Sequence, residues 1–237
     1  MIGCLAGYLL SYSGRLNLSA ALPALKQALE LTDTQSGMFQ TVFALIYAAG
    51  QMANGMIADR VNARLYVAAG LMGSALCNLG LCYVHSYPLM LGLWALNGAC
   101  QSMLWTPIIR LLSRSFEGYA LRKVCSYIAF APGLGHFLAW GLAGLASLSG
   151  GWYAPFGVGA MMMCLDACIV LLLLKGKKAE SGTERDRPAP MGLRTLLLDT
   201  GFAGALLLCI ANGFIRDGVI AWTPTIVQRR AGELSPV

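Results

Sequence analysis

The sequence predicts an all-α, polytopic membrane protein, with a six-helix transmembrane bundle followed by a seventh transmembrane helix. Hydrophobic residues make up 57% of the chain and charged residues only 12%, whereas soluble domains carry about 25% charged residues. The mean hydropathy is +0.63. Seven predominantly apolar runs reach the roughly 20 residues that a helix needs to span a bilayer.

The predicted helices follow one another through short turns until the charged segment 175–194, which also carries Pro and Gly. Such composition is typical of a linker. We therefore expect an N-terminal six-helix half (1–174), a cytoplasmic linker (175–195) and the first helix of an incomplete C-terminal half (196–237), as in a truncated or split protein. In chain order, the predicted spans are about 1–25, 35–57, 64–84, 87–113, 123–147, 152–174 and 196–228.

Four of these helices carry polar residues at helical spacing, which places the polar side chains on one face of each helix. Such a stripe favours either a polar cavity or hydrogen bonds between packed helices. The stripes are Tyr8, Tyr12, Arg15 and Ser19 in the first helix, Gln40, Tyr47, Gln51 and Asn54 in the second, Asn97 and Gln101 in the fourth, and Asn212 and Arg216 in the seventh.

The basic residues predict the orientation, because Lys and Arg are retained on the cytoplasmic side of a membrane. Twelve of the seventeen lie in alternate connections, after the second, fourth and sixth helices. The N-terminus is therefore expected in the cytoplasm and the C-terminus of this chain outside, in a multi-pass protein of the plasma (inner) membrane. Basic residues in turns and a linker do not form a nucleic-acid-binding face.

Two other classes of membrane protein or site are disfavoured. A retinal protein needs a lysine in its seventh helix, and no lysine lies between Arg194 and Arg229. The eight cysteines all lie in apolar helices without a C-x-x-C pair, so they are interpreted as small packing residues. We expect no metal site, no cofactor and no enzymatic activity.

Arg15 and Arg216 are the most informative residues, because each lies inside a long apolar segment. Arg15 precedes Lys26 by eleven residues and Arg216 precedes Arg229 by thirteen, which is roughly 17–20 Å of helix and close to the bilayer midplane. An intramembrane arginine usually faces a polar cavity with a counter-charge. The sequence thus predicts an anion site. The alternative is that each arginine bonds to helix-end carbonyls or pairs with Asp166 or Asp217.

The connection between the second and third helices carries the pattern G-x-x-x-D-R-x-x-x-R, formed by Gly55, Asp59, Arg60 and Arg64. This pattern resembles the cytoplasmic loop of the major facilitator superfamily. Gly55 is expected to allow close helix approach, Asp59 to pair with a cation or cap a helix, and the arginines to hold the membrane boundary.

Further segments resemble one branch of that superfamily, the organophosphate:phosphate antiporters, which include the glycerol-3-phosphate and hexose-phosphate carriers. The segments are Arg15-Leu16-Asn17, the D-R-x-N-x-R variant of the loop with Asn62, Gln101 to Pro107, and Arg216-Asp217-Gly218 with Trp222 to Thr225. The resemblance covers the N-terminal half and the seventh helix. It implies that Arg15 and Arg216 face one another and bind the substrate's phosphate, while Tyr12, Gln51 and Gln101 are candidates for specificity.

The sequence departs from that resemblance at two positions. Gln51 replaces a lysine of the second helix, and Phe130 replaces a histidine of the fifth. His136 lies about 600° of helical rotation beyond Phe130 and is interpreted as structural. With fewer cavity cations, a carboxylate or a phosphate monoanion becomes a candidate cargo beside a doubly charged ester.

Together these features predict a secondary transporter that moves a small organic anion across the lipid bilayer by alternating access. Exchange against phosphate follows from the resemblance alone. The alternatives are a membrane sensor for a sugar phosphate and a non-functional transporter fragment. A separate chain that supplies the missing C-terminal helices is a predicted partner.

Overall fold

The computed structural model describes residues 9–57, 61–116, 118–173 and 200–234. These residues form long α-helices joined by turns, so the predicted all-α fold is confirmed. Seven helices of at least 16 residues lie within the described ranges: α1 (Ser13–Ala28), α2 (Asp33–Ile57), α3 (Ala63–Leu81), α4 (Tyr87–Ser115), α5 (Gly118–Gly150), α6 (Ala154–Leu173) and α7 (Thr200–Leu234).

The chain divides into two compact units, one covering Met1–Ala179 and the other Glu180–Val237. The first unit holds α1 to α6, and the second holds α7. The predicted linker, 175–195, lies outside the described residues.

Within the first unit, α3 packs against both α4 and α6, while α2 packs on α4. Helix α1 packs on α5 and α6. Two apolar clusters hold this arrangement together. One joins α3, α4, α5 and α6 around Leu71, Leu104, Ile128 and Met163, and the other joins α1 to α4 and α6 around Leu25, Phe39, Trp94 and Phe156.

Large apolar side chains also cover the outside of the first unit. Met52 on α2 is 78% exposed, and Leu148 and Leu172 on α5 and α6 are 86% and 82% exposed. Extensive exposure of large apolar side chains marks contact with lipid or another protein. Three described helices are long and apolar enough to cross a membrane, namely α3, α5 over Gly118–Leu148, and α6.

Helices α1, α2 and α4 do not meet that standard of length and hydropathy, whereas α7 contains a shorter apolar stretch, Gly201–Arg216. The sequence predicts a polar stripe on each of these four helices. The lower hydropathy of α1, α2 and α4 reflects polar side chains that meet inside the first unit.

Helix α1 is interrupted near its start. Residues 9–10 are helical, Ser11 and Tyr12 form a turn, and α1 begins at Ser13. The amides of Gly14 and Arg15 donate to the carbonyls three residues earlier, at 3.2 Å each, as in a 3₁₀ turn. The predicted first helix, 1–25, is therefore not continuous, and its residues 1–8 lie outside the described part.

Candidate functional site

Arg15 lies in the first turn of α1 and is half-buried. Its guanidinium carbon is 4.5 Å from the centre of the Tyr12 ring and 5.5 Å from the centre of the Tyr47 ring. Both distances are within the range of a cation–π contact. The predicted arginine thus lies among aromatic faces contributed by the turn before α1 and by α2.

A chain of hydrogen bonds continues from Tyr47 across α2 to α4. The Gln51 side-chain NH2 donates to the Tyr47 hydroxyl at 2.8 Å. The Thr106 hydroxyl donates to the Gln51 carbonyl oxygen at 3.0 Å. We call Tyr12, Arg15, Tyr47, Gln51 and Thr106 the arginine site, because these contacts link them across α1, α2 and α4.

Helix α5 contributes to the edge of the arginine site through His136. The His136 ring lies 4.7 Å from the Tyr12 ring, centre to centre, and its Nδ1 is 2.5 Å from the Pro132 carbonyl oxygen. Gly135 permits this close approach, since a Cβ there would lie 2.6 Å from Tyr12 Cδ2. Phe130 is 77% exposed, so the two α5 residues do lie on different faces.

Buried amide side chains hold the start of α1 in place. Asn97 and Asn78 both donate to the Gly14 carbonyl, at 2.8 and 3.3 Å. Asn17 donates to Asn78 at 2.6 Å, and Ser74 donates to Asn97 at 2.6 Å. Because Gly14 precedes Arg15, this network fixes the backbone from which the guanidinium projects.

Gln101 belongs to this network and is fully buried. Its NH2 group donates to the Ser11 carbonyl at 3.3 Å and to the Ser74 hydroxyl at 3.0 Å. Of the two interpretations of a polar stripe, Gln101 therefore matches hydrogen bonding between packed helices, and it supports the start of α1 in this structure. Direct contact between Gln101 and a substrate stays a prediction.

The alternative pairing of Arg15 with Asp166 is not found. Asp166 is fully buried on α6, and neither carboxylate oxygen has a hydrogen-bond partner among the described residues. The guanidinium of Arg15 is therefore not neutralised by this carboxylate.

Arg216 lies on α7 in the second unit, and its side chain is exposed. It stands seventeenth in a helix of 35 residues. The side chain of its neighbour Asp217 is not described. The predicted joint action of Arg15 and Arg216 stays a prediction.

The loop motif is described in part, since Asp59 and Arg60 lie outside the described residues. Asn62 caps α3 by accepting a hydrogen bond from the Arg64 amide at 3.0 Å. Arg64 Nη2 donates to the Leu171 carbonyl near the end of α6, where helix carbonyls lack intrahelical partners. A Cβ on Gly55 would meet no atom within 4 Å, so the close helix approach expected there is absent from the described part.

Sequence reasoning missed two contributions to the arginine site. Thr106 lies in the segment Gln101 to Pro107 that resembles the antiporters. Its distance from Gln51 along the sequence does not indicate that the two residues are in contact. His136 is off the face of Phe130, as predicted. Its contact with Tyr12 depends on how α1 packs on α5, which a single-helix rotation argument does not include.

The arginine site can bind an anion because it combines a permanent positive charge with hydroxyl and amide groups. Guanidinium groups bind carboxylates and phosphates through two parallel hydrogen bonds. Helix N-termini also favour negative charge, and Arg15 lies in the first turn of α1. Among the described residues, no group of three or more His, Cys, Asp or Glu side chains is arranged to hold a metal ion.

The sequence profile described as Major Facilitator Superfamily matches residues 4–234. A "Probable hexose phosphate transport protein" of Chlamydia muridarum is 26% identical over 187 residues, covering 79% of this chain and 39% of that protein. A "Phosphoglycerate transporter protein" of Salmonella typhimurium is 26% identical over 186 residues, covering 77% and 40%.

A third relative, the "Membrane sensor protein UhpC" of Salmonella typhimurium, is 31% identical over 107 residues, covering 45% of this chain and 24% of that protein. These relatives confirm the predicted resemblance to the organophosphate:phosphate antiporters. The chain spans about two-fifths of the length of the two transport proteins.

Proposed function

Because the chain belongs to the Major Facilitator Superfamily, we propose that it acts in secondary transport of a small organic anion by alternating access. The cargo is a phosphate ester or an anion of similar shape, and exchange against inorganic phosphate is the proposed mode. The protein binds and moves its substrate without making or breaking covalent bonds, so no residue is assigned a catalytic role.

The observation that carries this proposal is the position of Arg15. A guanidinium inside a membrane-spanning segment costs several kcal/mol unless it faces polar groups, water or a counter-charge. In the first unit it lies against the Tyr12 and Tyr47 rings, and the Tyr47 hydroxyl is hydrogen-bonded to Gln51. A permanent positive charge beside hydroxyl and amide groups favours an anionic substrate.

The neighbours of Arg15 favour a cargo of low charge. Gln51, which replaces the lysine of the resembled antiporters, is neutral and is engaged by Tyr47 and Thr106. Phe130 points away from the buried interior. With Arg15 as the permanent cation of the arginine site, a phosphate monoanion or a carboxylate matches the site better than a dianion does.

Arg64 and the loop motif are assigned a conformational role. The hydrogen bond from Arg64 to Leu171 joins the start of α3 to the end of α6. Alternating access requires helix ends to separate on one side of the membrane, and this bond stabilises the closed arrangement of α3 and α6. Gly55, Asp59, Arg60 and Asn62 belong to the same proposed hinge.

The remaining wall of the cavity comes from further helices. The two transport proteins are more than twice as long as the segment they share with this chain. We propose that these helices belong to a longer form of the protein or to a separate chain. Arg216 on α7 is then the second proposed anion ligand.

A sensor is the second candidate function, because one relative is named a membrane sensor protein. The same arginine site would then bind the anion without carrying it across the membrane. Anion binding that is accompanied by neither uptake nor exchange would favour the sensor.

The experiment compares Arg15→Lys with the matched control Arg122→Lys, whose side chain is exposed on α5. Reconstituted protein is loaded with inorganic phosphate and supplied with labelled 3-phosphoglycerate or hexose 6-phosphate. Arg15→Lys keeps the charge but loses the bidentate geometry, at a cost of about 1.5–3 kcal/mol. We expect a roughly tenfold to hundredfold weaker apparent affinity.

Arg122→Lys should leave exchange unchanged. Unaltered exchange in a folded Arg15→Lys protein would remove Arg15 from the site. Thermal unfolding of both variants in detergent checks that they remain folded.

A further inference from the structure

Asp166 is a fully buried carboxylate that the anion site does not use. It lies on α6, inside a helix that is long and apolar enough to cross the membrane. Its exposure is 0%. Both of its oxygens lack a hydrogen-bond partner among the described residues.

The surroundings of Asp166 are apolar. Met163, Ala167 and Val170, which lie three residues before, one after and four after Asp166, are all part of the apolar cluster that joins α3, α4, α5 and α6. An ionised carboxylate in such surroundings carries a large desolvation cost unless it is paired. Such surroundings favour the neutral, protonated carboxyl group over the carboxylate.

The charged and titratable groups on the neighbouring helices have other contacts or lie at the surface. Arg64 on α3 bonds to Leu171, and Tyr66 donates to Asn54 at 2.6 Å. No described side chain forms a hydrogen bond with Asp166. The remaining groups with described side chains are Cys77 on α3, Tyr87, Cys100 and Arg110 on α4, Tyr12 in the turn before α1, Arg15 and Lys26 on α1, and Tyr119, Arg122, Lys123, Tyr127 and His136 on α5.

Asp166 is connected to the arginine site through packing. Met163, one helical turn before Asp166, contacts α1 so closely that a Cβ on Gly14 would lie 2.8 Å from its sulfur. The NH2 group of Gln101 lies 3.5 Å from the same sulfur. Because Gly14 is adjacent to Arg15, a shift of α6 at Asp166 would also move the backbone that carries Arg15.

Gln101 supplies a second unsatisfied atom in this layer. Its side-chain oxygen is buried without a hydrogen-bond partner. Among the described side chains, Gln101 and Asp166 are the residues whose buried oxygens lack partners. Buried polar groups without hydrogen-bond partners are rare and need an explanation. For a carboxyl group, an explanation that fits its chemistry is the binding and release of a proton.

We propose that Asp166 is a proton-binding site that couples proton movement to anion movement. This inference rests on the proposed transport function. The carboxyl group holds a proton while α6 is packed as described here, and it transfers that proton to water when the helices rearrange. An anion that moves with one proton carries one negative charge fewer across the membrane.

The first test reads the proton directly in the reconstituted full chain and needs no transport. Infrared spectra are recorded at neutral pH with ¹³C-labelled aspartate carboxyl groups. We expect a carboxylic-acid carbonyl band that disappears in Asp166→Asn. It should remain in the control Asp33→Asn, whose exposed carboxylate pairs with Lys26 at 2.6 Å. Absence of any Asp166-dependent acid band would overturn the proposal.

The second test uses inorganic phosphate as the probe in vesicles with an acidic exterior. The wild type and Asp166→Glu should take up phosphate faster with the pH gradient than without it. Asp166→Asn should lose that stimulation and keep exchange at equal pH. Full stimulation in Asp166→Asn would contradict coupling through this residue.

The two tests separate the two proposals. If the wild type moves no phosphate and no phosphate ester, the proposed transport function fails. The infrared result still decides whether Asp166 binds a proton. Asp166→Glu keeps an ionisable group. If it retains the stimulation that Asp166→Asn loses, the loss is due to the missing carboxyl group and not to misfolding.

Discussion

Arg15 places a permanent positive charge between two phenol rings, at 4.5 and 5.5 Å from their centres. Cation–π contacts contribute about 0.5–2 kcal/mol, which is less than the cost of removing a guanidinium from water. The two rings therefore orient the guanidinium and offset only part of that cost.

The neutral Gln51 provides a prediction at the scale of a single residue. Gln51→Lys adds a cation beside Tyr47 and restores the residue type that the resembled antiporters carry. A second charge about 6 Å from the anion is worth about 3 kcal/mol at an effective dielectric constant of 20. The variant should bind dianionic phosphate esters at least tenfold more tightly relative to carboxylates.

Competition binding with a phosphate ester and its carboxylate analogue measures this ratio. Gln51→Asn, which adds no charge, is the matched control and should leave the ratio near that of the wild type. An unchanged ratio in a folded Gln51→Lys protein would show that residue 51 does not face the anion.

The individual residues of the site were only partly predictable. Arg15, Tyr12 and Gln51 follow from polar spacing along single helices, and the structure brings all three into one connected set. Gln101 follows the same spacing but packs in the interior, since its face meets α1 and α3. The spacing of polar residues cannot distinguish a cavity from a buried hydrogen bond.

At the scale of elements, the start of α1 packs so closely on α6 that the contact leaves no room for a side chain larger than that of glycine. Gly159 on α6 packs against α1, where a Cβ would lie 3.0 Å from the Ser13 carbonyl and still closer to the Asn17 amide. The buried network of Asn17, Asn78 and Asn97 then holds the first turn of α1. The position of Arg15 is thus fixed by α3, α4 and α6 together.

Gly159→Ala should destabilise the protein by about 1–3 kcal/mol, because the extra methyl group overpacks the contact between α1 and α6. Gly157→Ala on the same helix is the control, since its Cβ would meet only Cys82 Sγ at 3.8 Å. The control should be neutral or slightly stabilising. Thermal unfolding in detergent measures both variants, and equal stability would contradict tight packing at Gly159.

The helices themselves were largely predictable, because their apolar runs and bounding turns are strong local signals. The predicted spans 35–57 and 152–174 agree closely with α2 and α6. The interruption before α1 was not predictable from hydropathy. It depends on side-chain amide groups of α3 and α4, which donate hydrogen bonds to the Ser11 and Gly14 carbonyls.

At the scale of the whole molecule, the chain is a polytopic member of its family with an arginine site inside its first unit. Orientation stays a prediction from the distribution of basic residues. A reporter fused after Val237 should lie outside the cell, and one inserted within 180–190 should lie in the cytoplasm. Protease or dye accessibility in intact cells reads the two positions, and a cytoplasmic reporter after Val237 would contradict the helix count.

The central claim is that Arg15 binds an anion within a water-accessible chamber. In a background without native cysteines, Gln51→Cys places a thiol beside the arginine site, and a membrane-impermeant thiol reagent reports its exposure to water. We expect the thiol to react, and inorganic phosphate to slow the reaction when residue 15 is arginine but much less when it is lysine. A thiol that never reacts, or phosphate protection that is equal in both backgrounds, would contradict the account.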